Sequence, residues 1–161
     1  DLLSGGVPCY GVYATADGRH MAVGALEKKF WELLCDTLGR ADLKPFHLAF
    51  GAKGEKTRAE LSAVFASQPQ SHWVARFADI DCCVTPVLTI NEALDNEQLQ
   101  ARGMVVEADG IPQFAPPYKL SDYEFSIERN APAPGQHSED ILREAGFDAD
   151  AIDNLRQRGI I

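Results

Sequence analysis

Apolar and polar positions alternate along residues 10–24 with a period close to two. Tyr10, Val12 and Ala14 precede Asp17-Gly18, while Met21 and Val23 follow it, out of phase with His20, Ala22 and Gly24. Alternating runs on either side of Asp-Gly predict a β-hairpin, because the glycine supplies the backbone freedom of a tight turn. The period then changes. Over "EKKFWELLCDTLGR", Phe30, Leu33, Leu34 and Leu38 share one helical face, with Gly39 as the stop signal. Residues 40–56 follow neither period and read as a connection. "KTRAELSAVFASQ" and "SHWVARFADIDC" predict two short amphipathic helices joined around Gln68-Pro69-Gln70. Their apolar stripes are Leu61, Val64 and Phe65, then Trp73, Val74 and Phe77. "CCVTPVL" predicts a short strand, in which Pro86 marks an edge or an end. Thr89 and Glu92 have the spacing of a capping box opening a helix, and "MVVEADG" predicts a further strand and turn.

From 111 to 137 the periodicity fades, and five of the nine prolines lie in this stretch. It reads as an extended strap between packed bodies. "SEDILREAGFDADAIDNLRQRGII" then predicts two short helices, the first capped by Ser138 and ended by Gly146. The fold class expected is α+β: a compact unit, a proline-rich strap and a helical tail. The opening "DLLSGGVP" begins mid-pattern, so the chain is expected to start inside a longer polypeptide.

Composition narrows the partners. With 45% hydrophobic residues the 161-residue chain can bury a core, and its formal charge of -9 argues against nucleic acid or an anionic membrane. No apolar run approaches the ~18 residues of a membrane helix. Cys9, Cys35, Cys82 and Cys83 lie in apolar surroundings without C-x-x-C spacing and read as buried thiols in a reducing, cytoplasmic setting. His20, His47, His72 and His137 are scattered without metal-ligand spacing, so no metal is expected.

One carboxylate stands out. Glu27 follows Gly24-Ala25-Leu26 at the join between the second strand and the first helix. An acid there has an ordinary use, in the first helical turn against unpaired N–H groups and the positive dipole end. It also has a chemical one, as a displayed carboxylate that helps move a proton. Spacing alone leaves both open.

Several phrases together carry a resemblance. "GGVPCYGVYATADGRHMAVGALEKKFWELL", "DIDCCVTPVLTINEAL", "ARGMVV" and "APGQHSEDIL" closely resemble the C-terminal part of the family III CoA-transferases (CaiB/BaiF), over essentially the whole chain. Gly24-Ala25-Leu26-Glu27 is similar to the α-methylacyl-CoA racemase-like branch, whereas transferases typically carry a Gly-Asn-Asp type sequence at that place. "CVTPVL" also looks more like the racemases. Lys28-Lys29 departs from the Pro-Gln that commonly follows the glutamate, which puts helix entry and the aim of Glu27 in question.

The resemblance implies residues 1–118 as the family's small α+β domain, and 119–161 as a strap and tail returning to a Rossmann-like large domain outside this chain. It implies an interlocked homodimer and an acyl-CoA thioester substrate, with coenzyme A part of the substrate and no separate cofactor. The implied reaction is proton exchange at the α-carbon of a 2-methylacyl-CoA through an enolate, the alternative being transfer of CoA between carboxylic acids. The histidine and aspartate that would exchange the proton belong to the large domain. Glu27 is implied as the catalytic group assisting that histidine, with Tyr10 and Leu26 against the acyl chain. Without the large domain, the chain is expected to be inactive.

Overall fold

The computed structural model describes all residues except Asp109, Glu128 and Asn130. The predicted hairpin forms. Strand β1 (Tyr10–Ala14) pairs antiparallel with β2 (His20–Gly24), Tyr10 opposite Gly24 and Ala14 opposite His20. Gly18 takes φ +75° in the turn, as the Asp-Gly signal requires. Strand β3 (Val84–Pro86) adds to the other side of β2, setting Val84 against Val23 in a three-stranded sheet of order β1-β2-β3. Alternation sends Tyr13, Met21, Val23 and Val84 into the core and leaves Val12 and Thr85 on the open face.

Helices cover the inner face. Helix α1 (Lys28–Thr37) buries Trp31, Leu34 and Cys35, α2 (Gly51–Phe65) buries Leu61 and Phe65, and α3 (Gln70–Phe77) buries Trp73 and Phe77. Phe65 is central, its ring 5.3 Å from Tyr13 and 5.2 Å from Trp73. The face of α1 is rotated from the one expected: Trp31 and Cys35 are fully buried, Phe30 and Leu38 only partly, and Leu33 is exposed. Gly39 stops the helix as expected. It has φ +68°, its N–H meets the Asp36 carbonyl, and Arg40 N–H meets the Cys35 carbonyl. Those two bonds satisfy carbonyls the helix end leaves open.

Residues 40–56 are more ordered than their pattern suggests. Ala41–Phe46 form a 3₁₀ turn, and α2 already starts at Gly51. Val74 is exposed where a core residue was expected, and Gln70 is buried instead. The Gln70 side-chain amide donates to the His20 carbonyl at 2.7 Å and the Val87 carbonyl at 3.2 Å, which satisfies it inside. The N-terminus of α3 is supplied from the hairpin. Its N-cap residue is Pro69, which has no capping side chain, so the Gln70 N–H donates to Asp17 at 3.2 Å. Thr15 Oγ donates to the same carboxylate at 2.5 Å, the largest cause holding the Asp17 carboxyl below its ordinary range.

The chain divides into two compact units, Asp1–Thr89 and Ile90–Ile161. In the second, the single helix expected after Thr89 is two, α4 (Ile90–Leu94) and α5 (Glu97–Ala101), because Asn96 restarts it by accepting Gln98 N–H at 3.1 Å. Strand β4 (Val105–Ala108) pairs with β5 (Ile111–Phe114), so the first residues of the supposed strap are a strand, with Pro112 opposite Glu107. A two-stranded sheet has free edges on both strands, where proline is tolerated. Helices α6 (Ser138–Glu144) and α7 (Ala149–Gln157) form the tail, joined by a 2.7 Å bond from Arg156 to Glu139. Ser138 is the first helical residue rather than the cap; His137 holds that position, without a side-chain bond. Gly146 ends α6 at φ +91°, as expected. Among the described residues no helix is long and apolar enough to cross a membrane.

Candidate functional site

Residues Gly24–Glu27 leave β2 and enter α1 through a tight bend. Gly24 N–H donates to the Cys83 carbonyl at 2.8 Å, and Leu26 N–H turns back to the Gly24 carbonyl at 2.9 Å. The Ala25 side chain is fully buried, which anchors the bend, and Leu26 packs partly against the core. Glu27 takes the N-cap position of α1 with extended backbone (φ -79°, ψ 138°). Its carbonyl accepts Phe30 N–H at 3.0 Å and Trp31 N–H at 3.1 Å. Its side chain, however, makes no capping hydrogen bond and is exposed.

That observation bears on the ordinary use of the acid. Glu27 lies one residue before the first helical turn, and its carboxylate does not satisfy the orphan N–H groups there. The two lysines after it are engaged elsewhere. Lys28 lies 3.6 Å from Glu32 one turn on, and the Lys29 ammonium sits 4.5 Å from the centre of the Phe30 ring.

Tyr10 lies on the open face of the sheet, beside Gly24. Together with Leu3, Val12, Ala22 and Cys83 it lines an open, mostly apolar cleft of about 570 Å³. Tyr10 and the Gly24–Glu27 bend therefore sit at one end of the sheet, all within residues 1–89. At Gly11 of β1 the Arg58 guanidinium packs close to the backbone, where a Cβ would lie 2.8 Å from it. Arg58 donates to the Gly5 carbonyl, and to the Val7 carbonyl at 2.7 Å, fixing the segment that leads into the cleft.

The cysteines divide. Burial pushes the Cys9 and Cys82 thiols up to about 11 and Cys35 up to about 12. Cys83 is exposed, contrary to expectation, since alternation toward β3 buries Cys82 and Val84 and turns Cys83 outward. It has φ +58°, alone among described non-glycine residues in the left-handed region. Loss of water contact, then the Asp81 and Glu27 carboxylates, raise its thiol above the ordinary value. A thiol so held is mostly protonated and a poor nucleophile near neutral pH.

Among the described residues no group of three or more His, Cys, Asp or Glu side chains is placed to hold a metal. His20 is exposed on β2, His72 lies edge-on to Trp73 with ring centres 5.0 Å apart, and His137 lies at the start of α6. His47 is different. Its Nε2 lies 3.2 Å from the Ala25 carbonyl, and its ring stacks on Trp31 at 6.0 Å. No spacing signal marks it, because the carbonyl it reaches is 22 residues away in sequence.

The family model "CoA-transferase family III" matches residues 3–138. The chain belongs to that family. It is 37% identical over 165 residues to human "Alpha-methylacyl-CoA racemase", covering 100% of this chain and 43% of that protein. It is 28% identical over 167 residues to an "Acyl-CoA transferase" of Fusarium pseudograminearum, covering 94% and 36% respectively. A CaiB/BaiF family protein from Brucella suis has a similar fold, with a TM-score of 0.58, 21% identity, and coverage of 88% of this chain and 38% of that one. This family III chain thus spans less than half the length of these relatives, and its α+β architecture matches that part of a CaiB/BaiF fold.

Proposed function

We propose that this family III chain is the small domain and C-terminal strap and tail of an α-methylacyl-CoA racemase-like enzyme. Residues 1–118 are the small domain, and residues 119–161 pack on a large domain of the same polypeptide, in an interlocked homodimer. The observation that carries the reading is the exposed carboxylate of Glu27, held on a well-anchored bend and left unused by the helix it precedes. Identity to the human racemase over the whole chain supports it.

In this reading a large-domain base removes the α-proton of a 2-methylacyl-CoA. The C–H electron pair moves into the thioester carbonyl, giving an enolate. An acid on the opposite face returns a proton to the α-carbon and the carbonyl re-forms, so no co-reactant is consumed. Glu27 stands beside the large-domain histidine. Its negative charge favours the imidazolium and selects which ring nitrogen faces the substrate. Tyr10, which lines the apolar cleft, and Leu26 lie against the acyl chain.

A second reading has its own support, in the similarity to a fungal protein named as an acyl-CoA transferase. There the enzyme moves CoA between carboxylic acids through a covalent aspartyl intermediate of the large domain. One experiment separates the two. The full-length polypeptide is incubated with a 2-methylacyl-CoA in D₂O without an acceptor acid. Deuterium entering the α-carbon is the expected result, and Glu27→Gln lowers kcat by on the order of 10²-fold or more. In a parallel incubation with a free carboxylic acid added, CoA transfer to that acid with no deuterium entry in either incubation would establish the transferase instead. The 161-residue chain alone is expected to give no turnover; measurable turnover would overturn the division of labour with a large domain.

A further inference from the structure

The bend that carries Glu27 is closed into a ring of contacts by a residue with no assigned role. From Glu27, the backbone carbonyl accepts the Trp31 N–H at 3.1 Å. The Trp31 indole is fully buried, and its Nε1–H donates to the Lys44 carbonyl at 3.1 Å, which fixes the 3₁₀ turn Ala41–Phe46. His47 follows that turn directly. Its ring lies on the indole at an interplanar angle of 24°. Its Nε2 then reaches back to the Ala25 carbonyl at 3.2 Å, two residues before Glu27.

A carbonyl oxygen only accepts, so Nε2 carries the proton in this bond. The Ala25 carbonyl lies in the bend between β2 and α1, and the backbone bond following it leads to Leu26 and Glu27. Three other restraints act on the bend: the buried Ala25 methyl group, the Gly24 N–H bond to Cys83 and the Leu26 N–H bond to the Gly24 carbonyl. None of them holds the Ala25 carbonyl itself. The His47 bond holds that carbonyl from the end of the 3₁₀ turn, and with it the direction in which Glu27 leaves the backbone.

We propose that His47 is a positioning residue: through the Ala25 carbonyl it sets the aim of the Glu27 carboxylate. The proposal rests on the reading of Glu27 given above. His47 touches no substrate; it acts through the bend. A small error in the placement of an acid–base group lowers the rate without weakening substrate binding, which separates this role from a binding one.

Three variants test it in the full-length enzyme. His47→Phe keeps a ring on Trp31 and removes the donor. Its kcat is expected to fall about 10-fold or more, with KM within about twofold of wild type and the melting temperature nearly unchanged. His47→Gln restores an N–H donor and is expected to recover most of that loss. In the 161-residue chain, the Leu26 and Glu27 amides are expected to exchange hydrogen faster in His47→Phe than in wild type, a readout independent of catalysis. If His47→Phe left kcat within twofold while Glu27→Gln lowered it 10²-fold, the positioning role would be wrong and the function intact. A loss in kcat that tracked a loss in melting temperature, without recovery in His47→Gln, would make His47 merely structural and overturn the proposal. If Glu27→Gln left the rate near wild type, the functional reading itself would fall, whatever His47 did to amide exchange.

Discussion

Residues 1–89 and residues 90–161 treat their apolar side chains in opposite ways. In the first unit Tyr13, Met21, Trp31, Leu34, Leu61 and Phe65 are almost fully buried in one cluster, with aromatic rings in contact at its centre. In the second, Ile152 is the one described hydrophobic residue that is buried, while Phe114, Tyr118, Leu120, Tyr123 and Phe125 are exposed. A segment with so little interior cannot draw much stability from hydrophobic burial, which scales with the apolar area removed from water. The first unit holds its own shape, and the candidate site lies there. Within the second, residues 119–161 have the exposure required of the strap and tail that, in the proposed reading, close on a large domain.

The sharpest way to break that contrast is Phe65→Ala. Its ring meets Tyr13, Trp73 and Phe77, so truncation is expected to cost about 3–5 kcal/mol, read from a denaturant midpoint. A cost below ~1 kcal/mol would show that the first unit has no core of its own. A smaller effect comes from the staple between the hairpin turn and α3. The Asp17 carboxyl is held below its ordinary value of 3.8, mainly by Thr15 and then by backbone N–H groups including that of Gln70. A depressed folded-state value stabilises the fold at pH above the unfolded value, and that contribution is lost as pH falls from there through the lower folded value. Stability measured from neutral pH down through that window is expected to fall less steeply in Asp17→Asn than in wild type. Equal slopes would remove Asp17 from the acid response. The smallest effect is expected at Tyr123, 61% exposed in the second unit. In the isolated chain Tyr123→Ala is expected to stay within about 0.5 kcal/mol of wild type. A loss above ~1 kcal/mol would mean that the strap already has a packed interior.

Most of the first unit was legible because its signals are local. Asp17-Gly18 and Gly39, like Gly146 in the second unit, mark turns and helix ends through backbone conformations that glycine adopts at no steric cost, and all three glycines have positive φ. The start of α2 was hidden by the same residue type. Gly51 and Gly54 suggest a loop, yet Gly54 lies inside the helix. A Cβ there would approach the Ala49 carbonyl to 2.3 Å, so glycine is needed for close passage of the chain rather than for a break. The face of α1 is set by Trp31 and by Cys35, a free thiol that packs like an apolar side chain, rather than by Phe30 and Leu33. Gln70 was unreadable for a different reason. Its burial is compensated by carbonyls of His20 and Val87, far away in sequence. In the candidate site, Glu27 stood out by its place at a strand–helix join. That its side chain would leave the cap unused, and that His47 would reach Ala25, depend on tertiary geometry.

The fit of Arg58 beneath Gly11 links two positions that lie in different elements. A methyl group at position 11 would push the guanidinium aside, and the carbonyls of Gly5 and Val7 would lose its N–H, Val7 keeping that of Tyr10. A lineage that acquires a side chain at 11 therefore gains by moving or shortening residue 58 and by another donor for the opening segment. Changes at the two positions should tend to appear together in evolution.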